Sequence, residues 1–242
     1  IPKSCKQISE RAFFCCNFFT SIEFEENSEL QTIDDESFST TSLKSIKIPK
    51  NVKRIGKGAF YDCKFLVDVT FSENSELIML EEEAFEKSSI ISIKIPNHVN
   101  QIERKTFFSC KCLENVEFSP NSEIISIEDY SFFDTSINSI CIPSCTKYIQ
   151  LCAFRECPEL KTVTFEKNSE LIFIGFDAFC YSSIEKFVIP AHVKFIDGEV
   201  FDTQEKCQFE FEKKSELISL NSFFINEIEN SLFIPESVQN FV

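Results

Sequence analysis

One interval governs this chain. Ile-Pro occurs at Ile1-Pro2, Ile48-Pro49, Ile95-Pro96, Ile142-Pro143 and Ile189-Pro190, always 47 residues apart, and once more at Ile234-Pro235 after 45. Asn-Ser-Glu keeps the same interval at Asn27, Asn74, Asn121 and Asn168, with Lys214-Ser215-Glu216 as a fifth copy. Phe13, Phe60, Phe107, Phe154 and Phe201 keep it too. A period of this size is the mark of a chain built from stacked units, each of which buries its apolar side only against its neighbours.

Each block divides in two. The stretches beginning at Leu43 and Leu66 share one skeleton: an apolar residue, two polar, apolar, polar, apolar, a turn, then a stretch ending near Ala-Phe. The unit is therefore 22–25 residues in two alternating flavours, and about ten units fill all 242 residues as a single domain with no linker. Alternation at Ile46 and Ile48, Val69 and Phe71, Ile93 and Ile95, and Val116 and Phe118 predicts short strands with one wet face. Proline, lacking an N–H, ends the strand in one flavour, and Asn-Ser-Glu turns the chain in the other. The spacing of Val52, Ile55, Ala59, Phe60 and Cys63 predicts a short helical or 3₁₀ turn on the opposite side. One Phe per unit is expected there: Phe13, Phe38, Phe60, Phe85, Phe107, Phe132, Phe154, Phe179, Phe201 and Phe224, forming an aromatic spine. At a strand spacing of ~4.8 Å, ten coils make a rod roughly 45–50 Å long.

The strand ending in Ile-Pro, a Val three residues on (Val52, Val99, Val193), then Ile-Gly or its equivalent, Ala-Phe and Cys together resemble the BspA-like leucine-rich repeats of protist and bacterial surface antigens. The resemblance covers essentially the whole chain. It implies a leucine-rich-repeat solenoid, an α/β-type superhelix with a parallel sheet on its concave face and helical turns on its convex face. It also implies a surface or secreted protein that attaches to host cells, matrix or other microbes, with no enzyme activity and no cofactor. Cys5 and Thr146 depart from the pattern where Val is expected, and Ile-Gly survives only at Gly56 and Gly175. Because both ends fall inside the repeat, the chain reads as part of a longer protein. Any signal peptide or membrane anchor is expected in segments absent from it.

Charge narrows the partners. A net charge of −15 and a pI near 4.7, with no local Lys/Arg block, disfavour nucleic acid and anionic lipid. The two histidines, His98 and His192, lie two blocks apart, about 19 Å at ~4.8 Å per coil, and so are not expected to share a metal. Cys16, Cys63, Cys110 and Cys157 are two coils apart, beyond the ~7 Å limit for a disulfide, and read as small core residues. The other eight of the twelve cysteines leave disulfides between neighbouring coils open. No Asn-x-Ser/Thr acceptor for N-glycans occurs.

Binding is expected on the wet positions of the strands. These are Glu23, Lys47, Thr70, Lys94, Glu117, Cys141, Thr164, Val188, Glu210 and Phe233, with Ser45, Asp68, Ser92, Asn115, Ser139, Thr162 and Lys186 one position earlier. Val188 and Phe233 are its expected apolar contacts. A protein partner fits this face best. The rival reading is an intracellular scaffold or cytoskeletal partner, favoured by reduced thiols.

Overall fold

The computed structural model describes residues 1–198, 200–201, 207–220 and 235–241. Two kinds of strand alternate along it. Four-residue strands are β3 (Ser45–Ile48), β5 (Asp68–Phe71), β7 (Ser92–Ile95), β9 (Asn115–Phe118), β11 (Ser139–Ile142), β13 (Thr162–Phe165), β15 (Lys186–Ile189) and β17 (Gln208–Phe211). Two-residue strands are β1 (Gln7–Ile8), β2 (Thr32–Ile33), β4 (Arg54–Ile55), β6 (Met79–Leu80), β8 (Gln101–Ile102), β10 (Ser126–Ile127), β12 (Tyr148–Ile149), β14 (Phe173–Ile174), β16 (Phe195–Ile196), β18 (Ser219–Leu220) and β19 (Asn240–Phe241). All pairing is parallel, each strand bonding its counterpart one coil away, so the longer strands stack on one wall and the shorter ones on a second. The solenoid is as expected.

Register fixes the coil length. Ile33 pairs with Ile55 and Ile55 with Leu80, steps of 22 and 25 residues, and the alternation continues through Ile127, Ile149, Ile174 and Ile196. Of the three extra residues of the longer coil, one lies between the spine Phe and the strand and two lie in the Asn-Ser-Glu turn. There Asn27, Asn74, Asn121 and Asn168 adopt left-handed φ of 53–62°, which Asn tolerates. The following serine accepts a bond from the amide two residues on, as Ser28 does from Leu30 and Ser75 from Leu77. In the shorter coil the proline carbonyl closes the turn instead, accepting from Val52, Val99 and Val193. The last two register steps, Ile196 to Leu220 and Leu220 to Phe241, are each one residue short of the pattern, which accounts for the 45-residue final block.

The third wall is not helical: no helix occurs among the described residues, so the expected helical turns are corrected to a different structure. Its amides alternate. Phe38 and Thr40 donate to the carbonyls of Ala59 and Tyr61 on the next coil (2.8 Å each), while Ser39 and Thr41 donate back to Glu36 and Phe38 of their own coil. Two left-handed residues per coil, four apart, produce this pattern: Glu36 and Thr40, Gly58 and Asp62, Glu83 and Lys87, Lys105 and Ser109. A right-handed helix has no place for them. Spacings of three to five residues thus came from a turn that bonds sideways to its neighbour.

Between the walls runs the aromatic spine. Phe13, Phe38, Phe60, Phe85, Phe107, Phe132, Phe154, Phe179 and Phe201 stack in order with centroids 5.1–5.7 Å apart and planes within 13°. Phe224 lies outside the described residues. Ile46 and Ile48 from the first wall and Ile33 and Ile55 from the second close on the spine, all buried. On the second wall Arg54 gathers Asp34, Asp35 (2.5 Å) and Glu81 (2.7 Å), joining three coils through one guanidinium.

Two predictions concern this packing. A Cβ at Gly56 would stand 2.8 Å from the Asp35 nitrogen and 2.3 Å from its carboxylate, whereas at Gly58 the nearest atoms are 3.6 Å away. Gly56→Ala is therefore expected to lower stability by about 1–3 kcal/mol through the clash, and Gly58→Ala, which has room but sits at φ 58°, by about 1–2 kcal/mol through backbone strain, in denaturant titrations. Ser37 and Ser131 replace the alanine of other coils, and their buried hydroxyls have no partner. Ser131→Ala is expected to raise stability by about 1 kcal/mol, measured the same way.

Candidate protein-binding face

The first wall is the candidate site, because it alone presents strands long enough to display a row of side chains. Alternation along each strand buries Ile46, Ile48, Ile93 and Ile95 and turns the intervening residues outward. Lys47, Thr70, Lys94, Glu117, Cys141, Thr164 and Glu210 are all exposed, and Val188 is half-buried. Their register is direct for Lys47 with Thr70, Lys94 with Glu117, Cys141 with Thr164, and Val188 with Glu210. Glu23 is exposed but belongs to no strand; its carbonyl accepts the N-terminal amine of Ile1 at 2.6 Å. Phe233 lies outside the described residues.

The row is segmented, which the sequence did not disclose. Strands of one 47-residue block pair along all four residues, as β3 with β5 and β7 with β9. Between blocks the ladder holds at one position only, Asp68 with Ser92 and Asn115 with Ser139, and β13 and β15 share none. Each seam follows a strand ending in a half-buried Phe (Phe71, Phe118, Phe165) and precedes one ending in a buried Ile. Clefts open there. One of about 700 Å³ lies between Phe24 and Pro49, and one of about 640 Å³ between Phe71 and Pro96.

Electrostatics on the face is local. Lys94 and Glu117 stand 3.9 Å apart, and Lys186 meets Glu210 at 2.8 Å. Both pairs are exposed and worth little to stability. On the second wall burial, then the carboxylates of Glu128, Glu82 and Glu81, push the Glu103 carboxyl up. His98 and His192 each bond a carboxylate of the next coil, Glu123 and Glu216, at 3.1 Å. Among the described residues no three His, Cys, Asp or Glu side chains converge as metal ligands.

Among the described residues the cysteines form no disulfide. Cys63, Cys110 and Cys157 are buried, and each Sγ donates to the carbonyl of a spine residue one coil back: Phe38 (3.0 Å), Phe85 (2.9 Å) and Phe132 (3.1 Å). They are hydrogen-bond donors as well as small core residues. Cys16, at the first coil, is exposed. Burial pushes the Cys110 thiol up to about 12 and that of Cys157 up to about 11.

A second outward row escaped the sequence reading. Tyr148, Phe173 and Phe195 stand in register on the second wall beside exposed Ile125, where earlier coils carry Gln7, Thr32 and Arg54. The two-residue strands that place them are too short to announce themselves by alternation.

With this geometry, the chain matches the BspA type leucine rich repeat region in six copies, over residues 1–79, 78–208 and 125–241. The chain belongs to the BspA-type leucine-rich-repeat family. Among solved structures it is similar to the pneumococcal vaccine antigen PcpA, with 19% identity and a TM-score of 0.55 over 98% of this chain and 72% of that one. It is also similar to a leucine-rich repeat protein from Bacteroides ovatus ATCC 8483, with 19% identity and a TM-score of 0.50 over 100% and 76%. No curated protein matches. These likenesses support a BspA-type solenoid, and among the described residues no helix is long and apolar enough to cross a membrane.

The thiols give a measurable consequence. Alkylation of the native protein at neutral pH is expected at Cys15, Cys16, Cys112 and Cys141 and not at Cys63, Cys110 or Cys157, with all twelve reacting after unfolding, as mass spectrometry would read. Because the folded thiols of Cys110 and Cys157 are raised, the native state holds their protons where the unfolded chain releases them. Their contribution is intact below about pH 9 and declines as pH climbs toward 11–12. The thermal midpoint should fall over that window, and less so in Cys110→Ala.

Proposed function

We propose that this chain is a non-catalytic binding module, displayed on a cell surface or secreted, that attaches to protein on host cells, matrix or other microbes through its first wall. The observation that carries this is the row from Lys47 to Glu210, held outward on parallel strands packed against the spine behind them. Extended faces of stacked repeats are suited to protein partners. The similarity to a pneumococcal vaccine antigen agrees with a surface setting. No cofactor is assigned, and the acidity of the chain opposes nucleic acid.

The absence of disulfides among the described cysteines favours a second reading, an intracellular scaffold or cytoskeletal partner. Thiol counting on protein from its native source separates the two: sustained reduction of the exposed Cys15, Cys16, Cys112 and Cys141 leans toward the cytosol.

The test of the face uses fluorescently labelled protein on cultured epithelial cells and immobilised matrix proteins. Saturable attachment is expected, weakened about tenfold by Lys47→Glu with Lys94→Glu, and separately by Val188→Glu, with unchanged circular dichroism. Lys57→Glu on another wall is the control. Attachment indifferent to both face variants rejects this wall as the site.

A further inference from the structure

The coils repeat in backbone but not in the residues that lead into the strands. That row runs Lys44, Val67, Ile91, Glu114, Asn138, Lys161, and its members are tied coil to coil: Val67 N–H to Lys44 C=O at 3.0 Å, Ile91 to Val67 at 3.2 Å, Glu114 to Ile91 at 2.9 Å. Four of the six are charged or amide side chains, so folding does not require an apolar one there. Val67 (42% exposed) and Ile91 (46%) nevertheless stand side by side, with Phe65 (58%) at the adjoining corner. They flank the seam between β5 and β7, whose far end opens into the 640 Å³ cleft at Phe71 and Pro96.

Charge around this island departs from the rest of the molecule. Over β3, β5 and β7 the exposed charged residues on the wall are Lys44, Lys47 and Lys94 against Asp68, a net positive strip in a chain of net charge −15. Lys44 and Lys47 have no ion pair among the described residues, and Lys94 has only the 3.9 Å contact with Glu117. Carboxylates bound the strip on both sides, Glu23 before it and Glu114 and Glu117 after it. Two strand spacings, about 10 Å, separate its edges, so a long polyanion laid across the wall would run onto these acids.

We propose that the seam between β5 and β7 is the anchor point of the face, and that it docks a short acidic segment of a partner protein which seats an apolar side chain against Val67, Ile91 and Phe65. This rests on the first wall being the binding face and adds where on it the partner is held and what the partner carries. An apolar centre desolvated within a charged rim is the arrangement that concentrates binding energy in protein interfaces. The lysines steer the segment and set its register.

The test selects from a displayed library of random peptides on the full chain. Enriched peptides are expected to be acidic around one or two Leu, Ile or Phe residues. The best of them should bind about tenfold more weakly to Ile91→Ser and to the Lys44→Glu, Lys47→Glu pair, and more weakly at about 0.5 M than at about 0.05 M salt. Lys57→Glu, off the first wall, should leave peptide binding unchanged. Circular dichroism and thermal midpoints verify folding, and Lys44, Lys47 and Ile91 are all exposed. Absence of enrichment, enrichment of basic or neutral peptides, or binding that ignores Ile91→Ser overturns the proposal. So does heparin competing as well as the selected peptide, since that would reveal charge alone. If cell attachment is lost in Val188→Glu but not in Ile91→Ser, the seam fails while the face stands; if neither variant matters, the face itself fails.

Discussion

Coil-to-coil hydrogen bonding on the turn wall is the constraint from which the other features follow. Every second amide there points along the solenoid to the carbonyl of the next coil, as Phe38 to Ala59 and Phe60 to Ala84 at 2.8 Å. That geometry demands two left-handed residues per coil, each strained for an L-amino acid by ~1–2 kcal/mol and offset by the bonds it permits. It also locks each spine Phe directly beneath the next, so the rings stack nearly parallel and the carbonyl of a spine Phe is left for the thiol that follows it. The strand walls inherit their register from this. The spacing from spine Phe to strand alternates between eight residues (Phe38 to Ile46) and nine (Phe60 to Val69), and both the ring stack and the ladder within a block survive it.

What the sequence disclosed were the features tied to residue chemistry. Proline at the strand end, Asn-Ser-Glu at the turn, Phe at the described spine positions and Ile or Val at alternate strand positions each have a side-chain reason, and each lies where expected. The left-handed turn residues were hidden because Arg11, Glu36, Lys105 and Tyr130 adopt φ of 50–57° without glycine to mark them. Only Gly58 and Gly198 hint at the pattern. The seams were hidden for a different reason. Pairing depends on how two backbones approach, and the difference between Phe71 and Ile48 at a strand end does not state whether the next strand closes up. Eight of the ten expected face residues are in strands and exposed or half-exposed, so the face was legible. Its division into two-strand panels, and the apolar pair at Val67 and Ile91, were not, because these residues precede the alternating positions on which the reading relied.

A repeat architecture separates folding from recognition unusually cleanly. Positions filled alike from coil to coil or from block to block answer to packing: the spine Phe in each coil, and once per 47-residue block the buried strand-end Ile and the thiols at Cys63, Cys110 and Cys157. Positions that change from coil to coil on a common backbone are free of that demand. On the first wall this variation runs from a lysine-rich panel at β3 to β7, through Glu114 and Glu117, to Cys141 and Thr164, and on to the half-buried Val188. On the second wall it runs from Gln7 and Thr32 to Tyr148, Phe173 and Phe195. The two walls therefore change character along the axis independently.

That independence limits how a partner can be held. Surface ion pairs such as Lys94 with Glu117 contribute little energy of their own, and a flat polar row offers no pocket to exclude water. Affinity on such a wall must come from the few places where apolar groups and an opening coincide. On the first wall the seam between β5 and β7 carries both, with Val67 and Ile91 beside its single paired position at one end and the cleft at Phe71 and Pro96 at the other. The seam that interrupts sheet pairing is thus also the point at which the wall acquires depth, and depth is what converts a row of exposed side chains into a site.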